Sequence, residues 1–228
     1  STMTAVQGVT YPAFSRIAGD GRKFAESFRQ VTMIVAYAIF PVMLGLSAVA
    51  RDMFAVLLGD KWMPTVPYFE AVCLAGLFYP GAMVAYNVMK VRCGGALIVR
   101  LVVSKKIVLT AIFALTIPRS VQAVVWGLVV FAACEMVVNV WAALRVSALP
   151  ARRFVRTLFP IACVAGAMYA AVRGVAGAPV ANPWLRLLLE VVCGAVVYLL
   201  LSLLFRLEAF RELRDIVRKQ FAAPPHEI

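Results

Sequence analysis

The sequence predicts an all-α, polytopic membrane helix bundle with about six transmembrane helices. Of the 228 residues, 63% are hydrophobic and 15% are charged, whereas a soluble domain is about 45–50% apolar and about 25% charged. The apolar residues also form long blocks, and a helix needs about 20 predominantly apolar residues to cross about 30 Å of hydrocarbon. A water-soluble core of this length cannot accommodate such an excess, since most residues of a small protein face water.

Six apolar blocks predict the spans. In chain order they cover about Val31–Val49, Tyr68–Met89, Ala96–Ile117, Val121–Ala143, Phe159–Val175 and Trp184–Phe205. Pro41 and Pro80 interrupt the first two spans. Broken helices line cavities in transporters, but proline is also frequent in spanning helices generally.

The net charge is +12. The positions of the basic residues indicate that they set the orientation of the chain in the membrane and do not bind nucleic acid. A nucleic-acid reader clusters its basic residues on one polar face, whereas here they lie between the apolar blocks. They concentrate in the N-terminal segment, the Lys90–Arg92 turn, the Arg145–Arg156 linker, which we read as a basic loop, and the C-terminal tail. The positive-inside rule therefore places both termini of this fragment in the cytoplasm, which requires an even number of spans.

Three basic residues lie within the third predicted span, namely Arg100, Lys105 and Lys106. A charge at the bilayer centre costs at least about 2.5–3.5 kcal/mol. A span that began after the lysines, at Ile107, would reach only about 16 Å and would be too short. We therefore expect Lys105 and Lys106 near mid-depth, with Arg100 closer to the cytoplasm.

The fourth predicted span carries Glu135 and, four residues later on the same face, Asn139. A short connection makes the third and fourth helices antiparallel neighbours, so a structural Lys105–Glu135 or Lys106–Glu135 ion pair is expected. The alternative and compatible interpretation is a basic lining for an anionic substrate, formed by Arg100, Lys105 and Lys106.

Other polar side chains in the spans have simpler interpretations. Asn87 and Tyr86, near the cytoplasmic end of the second span, could contact a sugar, although hydrogen bonding between helices also explains them. Arg186 and Glu190 are spaced as a local ion pair near the outer end of the sixth span. Glu70 is placed near interfacial water.

Nothing in the sequence indicates a cofactor, a metal site or catalytic residues. The only histidine is His226, and the five cysteines form no CxxC pair, so a zinc site or a histidine-based triad has almost no ligands available. The cysteines within apolar blocks are expected to act as small buried hydrophobic residues. We expect the protein not to be an enzyme.

The C-terminal tail has apolar residues at helical spacing, including Leu207, Phe210 and Leu213. This pattern predicts an amphipathic helix, either at the cytoplasmic membrane interface or packed against the protein. The chain starts at Ser1 without a signal peptide, and we expect it to be a fragment of a longer protein.

Three motifs resemble polysaccharide flippases of the multidrug/oligosaccharidyl-lipid/polysaccharide exporter superfamily. They are Tyr11-Pro12-Ala13-Phe14-Ser15-Arg16, Phe40-Pro41 followed by Gly45-Leu46, and Leu57-Leu58-Gly59-Asp60-Lys61-Trp62. Their order and spacing agree with the family, but they cover only residues 11–67. The rest matches in hydropathy and number of spans, and Gly94-Gly95 departs from a pattern in which Gly precedes a basic residue.

The resemblance implies a two-lobed transporter of the bacterial inner membrane. Residues 1–150 would form part of the second-lobe bundle, residues 151–205 two additional C-terminal helices, and residues 206–228 a cytoplasmic amphipathic tail. The implied partners are membrane lipid, a missing N-terminal lobe of the same chain, and an oligosaccharide linked to undecaprenyl pyrophosphate. The implied function is transport of that lipid-linked oligosaccharide for exopolysaccharide or lipopolysaccharide synthesis, with Arg100, Lys105 and Lys106 binding the anionic headgroup.

Two other functions stay open at this point. A multidrug or cation antiporter of the same superfamily would favour an acidic cavity, and the basic third span argues against it. A membrane enzyme of envelope polysaccharide synthesis would need catalytic His, Asp or Glu near an interface, often on a large loop. The sequence has no histidine within the predicted spans and no such loop.

Overall fold

The computed structural model describes residues 20–177 and 182–214, and in these residues it is helical without strands. The helices are α1 (Gly21–Leu57), a short 3-10 helix (Asp60–Thr65), α2 (Val66–Arg92), α3 (Gly95–Thr116), α4 (Val121–Ser147), α5 (Ala151–Val175) and α6 (Pro183–Leu204). Each predicted span therefore corresponds to one α-helix. The prediction of an all-α polytopic bundle is confirmed.

Five segments are long and apolar enough to cross a membrane: α1, Asp60–Arg92 with α2, α4, α5 and α6. Helix α3 has 22 residues but is not among them, because the cationic side chains of Arg100, Lys105 and Lys106 interrupt its apolar sequence. Helix α3 is also peripheral, and none of its residues is buried by the described part of the chain. The helix that carries the predicted cationic side chains is thus the one least covered by its neighbours.

Helix α1 has 37 residues and begins well before the predicted Val31. Its start is capped by Asp20, whose side chain accepts hydrogen bonds from the backbone N–H groups of Arg22 and Lys23 at 3.1 Å. It ends at a turn where Gly59 has a φ of 81°, a conformation that glycine adopts without steric cost. At 1.5 Å per residue the helix extends beyond the hydrocarbon, so its first turns lie outside the apolar block.

The basic linker predicted at Arg145–Arg156 is mostly helical and is not a loop. Helix α4 continues to Ser147 and α5 begins at Ala151, so only residues 148–150 connect them. Arginine is a good helix former, which lets polar residues extend the helices beyond their apolar parts. Ala148 terminates α4 in the left-handed conformation, with a φ of 55°.

Helix α1 organises the packing, since it contacts α2, α5 and α6, while α2 packs on α4 and α4 packs on α3. One buried apolar cluster joins α1 to α2, α4 and the start of α5; it contains Phe24, Phe28, Val84, Ala85, Val88, Met89, Ala143, Leu149 and Phe154. A second joins α1 to α5, α6 and residues 207–209; it contains Met33, Tyr37, Ile161, Val164, Ala165, Met168, Tyr198, Leu207 and Ala209.

The outer faces of the helices are apolar, as a bilayer requires. Exposed side chains include Val130, Val137 and Trp141 on α4 and Leu188, Leu199 and Leu203 on α6. A soluble monomer rarely exposes such continuous apolar surface. The chain is therefore a multi-pass membrane protein.

The two ends of the bundle differ in charge. At one end, here called the basic end, α1, α3 and α5 begin and α2, α4 and α6 finish. Arg92 stacks on the ring of Phe24 at 4.3 Å there, and Arg153 lies 3.8 Å from Glu26. At the opposite end the rings of Phe54 and Phe69 lie 5.3 Å apart. The predicted basic segments collect at the basic end, apart from those outside the described residues.

The described part of the tail, residues 206–214, packs against the protein. Leu207 and Ala209 are buried, residues 208–214 are helical, and Glu208 accepts hydrogen bonds from Arg29 at 2.6 and 2.9 Å. Glu212 accepts another from Gln30 at 3.1 Å. The remainder of the predicted tail, with His226, and the Tyr11–Arg16 motif lie outside the described residues.

Candidate functional site

An ion pair joins α3 to α4 near the middle of the bundle. Lys105 Nζ lies 3.1 Å from Glu135 Oε1, and 15% and 32% of the two side chains are exposed. Lys105 is about 15 Å along α3 from its start at the basic end, and Glu135 is about 18 Å from the same end of α4, counting 1.5 Å per residue. Their similar depth in antiparallel helices brings them together.

The ring of Tyr86 on α2 lies beside two lysines. Lys90 Nζ is 4.6 Å and Lys105 Nζ is 5.0 Å from the ring centroid, both within the range of a cation–π interaction. Tyr86 and Lys90 are one helical turn apart on α2, so they share a face. Tyr86 thereby links α2 to the Lys105–Glu135 pair.

Tyr86, Lys105 and Glu135 line a cavity of ≈ 290 Å³ between α2, α3 and α4. Its lining residues are Tyr79, Ala82, Met83, Tyr86, Val102, Lys105, Lys106, Leu109, Phe131, Glu135 and Asn139. Asn139 is held in place because its Nδ2 donates a hydrogen bond to the carbonyl oxygen of Ala82 at 3.1 Å. The cavity thus combines ammonium, carboxylate, phenol and amide groups in an otherwise apolar region.

The cavity brings together some of the residues predicted from the sequence and not others. Lys105, Lys106 and Glu135 line it. Asn87 does not, because it is 1% exposed inside α2, where its Nδ2 has no hydrogen-bond acceptor among the described residues. Arg100 is exposed on α3, outside the cavity lining.

Tyr86 was predicted, with Asn87, as a residue that could contact a sugar, whereas the aromatic lining residues Tyr79 and Phe131 were not predicted. The four-residue spacing of Tyr86 and Lys90 is a further signal for Tyr86, since it places an aromatic face beside an ammonium group. Tyr79 and Phe131 have no such signal, because an aromatic residue in an apolar helix is usually a packing residue.

The cavity carries more positive than negative charge. Glu135 balances Lys105, whereas the cavity lining has no second carboxylate to balance Lys106. Lys90 Nζ, 4.6 Å from the centroid of the Tyr86 ring, adds a further positive charge beside the cavity. Fixed ammonium groups in a partly dry cavity favour an anionic ligand.

A larger apolar groove of ≈ 540 Å³ adjoins this cavity. It lies between α1, α2 and α4, and it shares Tyr79, Met83 and Phe131 with the cavity. Its other lining residues are Val35, Ile39, Met43, Val72, Ala75, Gly76, Pro80, Val125, Leu128 and Ala132. The polar cavity and the apolar groove are therefore adjacent and share lining residues.

Comparison with known proteins gives a consistent assignment. Residues 1–67 match a family described as "Polysaccharide biosynthesis protein". The resemblance to polysaccharide exporters is confirmed. The chain is 28% identical to the succinoglycan biosynthesis transport protein ExoT of Rhizobium meliloti, over 97% of this chain and 46% of ExoT.

Two further relatives match over a shorter region. The lipopolysaccharide biosynthesis protein WzxC of Escherichia coli is 32% identical over 30% of this chain and 14% of its own length. The teichuronic acid biosynthesis protein TuaB of Bacillus subtilis is 26% identical over 32% of this chain and 15% of its own length. The chain thus spans at most about half the length of these relatives. No solved structure matches it.

Proposed function

We propose that this chain is part of a flippase that moves an oligosaccharide linked to undecaprenyl pyrophosphate across the bacterial inner membrane. The observation that carries the proposal is the polar cavity with Lys105 and Lys106, which shares Tyr79, Met83 and Phe131 with an apolar groove. A lipid-linked sugar phosphate needs both kinds of surface. The similarity to ExoT, a succinoglycan biosynthesis transport protein, supports the same assignment.

The lysines would bind the pyrophosphate, and the aromatic residues would contact the sugars. A phosphate group gains charge-assisted hydrogen bonds from an ammonium group. Lys106 is exposed and free of the Glu135 contact, so it would make the first such bond. Lys105 would remain partly neutralised by Glu135 until the ligand competes for it.

The basic end would face the cytoplasm, because basic residues are retained on that side. The lipid-linked substrate would then enter from the cytoplasmic leaflet and leave on the periplasmic side after the two lobes rock. This orientation is tested with cysteine substitutions at Lys90 and Lys61 in a background without native cysteines. A membrane-impermeant maleimide should label Lys61→Cys in intact spheroplasts, and Lys90→Cys only after permeabilisation.

The central test uses the protein that contains this chain, in cells that lack their own copy. Lys106→Ala and Lys105→Ala should each reduce polymer export roughly tenfold, the cost of one lost hydrogen bond to a charged group. Lipid-linked oligosaccharide should accumulate in the cytoplasmic leaflet. The matched control is Lys61→Ala, an exposed lysine in the 3-10 helix at the opposite end. Export unchanged in both cavity variants contradicts the proposal.

The two other functions fit the cavity less well. A cation antiporter would place surplus carboxylates in its cavity, whereas the lining residues contain two lysines and one glutamate. A membrane enzyme of polysaccharide synthesis would show glycosyl transfer by the purified protein. We expect none, because the lining has one carboxylate, already paired with Lys105, for general acid–base chemistry.

A further inference from the structure

A second polar cluster lies at the opposite end of the bundle, between α1, α5 and α6. At its centre Glu190 of α6 is 0% exposed. Neither of its carboxylate oxygens has a hydrogen-bond partner among the described residues. An ionised carboxylate without a partner in such a place carries a large desolvation penalty.

The arginine nearest in sequence does not pair with Glu190. Arg186, one turn earlier on α6, pairs instead with Asp52 of α1, so the local Arg186–Glu190 pair expected from the sequence is wrong. The α1 helix crosses α6 here and brings a buried carboxylate within reach of the guanidinium. That tertiary contact outcompetes the local one.

The other charged groups around Glu190 are also engaged. Arg173 of α5 lies 3.8 Å from Glu70 of α2, whose side chain is 35% exposed. Asp52 itself lies beside Glu190. Tyr169 of α5 packs on the neighbouring apolar cluster, and Arg51, next to Asp52 in α1, is exposed.

The charges of this cluster do not balance when all groups are ionised. Three carboxyls (Asp52, Glu70 and Glu190) face two guanidinium groups (Arg173 and Arg186). Each guanidinium lies closer to another carboxylate than it lies to Glu190. The surplus negative charge falls on the most deeply buried member, and two like charges side by side favour the neutral form of one of them.

We propose that Glu190 is a proton-binding site, with Asp52 and Arg186 as the residues that set its occupancy. The ligand is a single proton, which converts the Glu190 carboxylate into a carboxylic acid and leaves the Asp52–Arg186 pair intact. The site is separate from the Lys105 cavity, since no residue of one lines the other. It does not depend on the transported substrate.

Protons reach Glu190 from the opposite end of the bundle. Of the surrounding side chains, Arg186 is 30% exposed and Arg173 is 47% exposed. Toward the basic end the route is closed one turn further along α6. A Cβ on Gly194 would lie only 3.1 Å from Val172 Cγ2, so α5 and α6 are in close contact there.

Infrared spectroscopy of the reconstituted full-length protein tests the site directly. Exposed carboxyls are ionised at neutral pH, so a carboxylic-acid C=O band at that pH reports a buried protonated group. We expect this band in the unmodified protein and its loss in Glu190→Gln. The control is Asp60→Asn, an exposed carboxyl at the same end, which should leave the band unchanged.

Asp52→Asn keeps the proposal testable even if Glu190→Gln does not fold. Without Asp52, Arg186 is free to pair with Glu190 one turn away, so Glu190 should ionise and the neutral-pH band should disappear. Absence of the band in the unmodified protein overturns the proposal, as does a band that both variants leave unchanged. Loss of the band when Na⁺ replaces K⁺ at constant pH would assign the site to a metal cation instead.

Discussion

The Lys105 cavity and the Glu190 cluster balance charge in contrasting ways. The cavity between α2, α3 and α4 is partly open and has surplus positive charge, with its one carboxylate 32% exposed. The cluster between α1, α5 and α6 is closed around a 0% exposed glutamate and has surplus negative charge. In an open site, water can solvate the surplus charge until a ligand binds. In a closed site the surplus charge has no water around it, so it must be neutralised within the protein. This difference is the reason why we propose an anionic substrate for the first site and a proton for the second.

The largest effect is expected from breaking the buried pair at the Glu190 cluster. Arg186→Met leaves Asp52 buried without its partner, which should destabilise the protein by about 3–5 kcal/mol. Thermal unfolding of the full-length protein in detergent measures this change. The matched control is Arg119→Met, an exposed arginine at the same end of the bundle.

A second substitution separates charge from packing at this site. Adding Asp52→Asn to Arg186→Met removes the unpaired carboxylate and should recover a large part of the lost stability, because the buried charge itself is the cost. If Arg186→Met destabilises the protein no more than Arg119→Met does, the Arg186–Asp52 pair is not a buried pair in the energetic sense, and the contrast between the closed and the open site fails.

A smaller effect on stability is expected at the cavity. Glu135→Gln leaves Lys105 beside Tyr86 in a partly open cavity, so the loss of stability should be smaller than that caused by Arg186→Met. The reversed pair, Lys105→Glu with Glu135→Lys, should keep this stability but abolish polysaccharide export, since the cationic groups are displaced. Destabilisation by Glu135→Gln as large as that of Arg186→Met would contradict the comparison.

The sequence predicted the helices well and their ends less well. Apolar blocks locate the part of a helix that lies in hydrocarbon, and all six α-helices contain their predicted spans nearly complete. The blocks carry no information on polar extensions, so the first turns of α1 before Val31 and of α5 before Phe159 were missed. Their Arg-rich turns are helical because they pack and pair at the basic end.

The sequence predicted only those contacts of the candidate site that form between helices consecutive in the chain. Lys105 and Glu135 lie on consecutive antiparallel helices, so depth counting alone brings them together. The partner of Arg186 was not predictable, because Asp52 is 134 residues away and no spacing rule connects them. The local rule then gave the wrong partner, Glu190.

The aromatic link between α2 and the cavity should contribute less than the Arg186–Asp52 pair. Tyr86→Leu removes the ring face beside Lys90 and Lys105, and each cation–π contact is worth about 0.5–1 kcal/mol at such a site. Tyr86→Phe keeps the ring and should retain nearly all of the stability. Unfolding temperatures of the two variants measure the difference, and equal losses in both would assign the role to the phenol hydroxyl instead.

The smallest effect is expected at Glu208, a half-exposed carboxylate at the basic end. Its side chain is 50% exposed, and the hydrogen bonds from Arg29 lower the pKa of its carboxyl below the ordinary 4.5. A lowered pKa in the folded state gives a stabilisation that is complete above pH 4.5 and is lost as the pH falls through the folded value. Solvent screening limits it to less than about 1 kcal/mol.

Acidification should therefore release the described tail segment from α1 before the bundle unfolds. A fluorophore at a cysteine that replaces Leu213, an exposed residue of the 208–214 helix, should gain mobility as the pH falls below 4.5. In Glu208→Gln the mobility should already be high at neutral pH and change little with acid. The Arg29–Glu208 contact is open to solvent, unlike the closed Glu190 cluster, so acid should break it directly. A tail that stays docked at low pH would show that the apolar packing of Leu207 and Ala209 holds it, rather than the pair with Arg29.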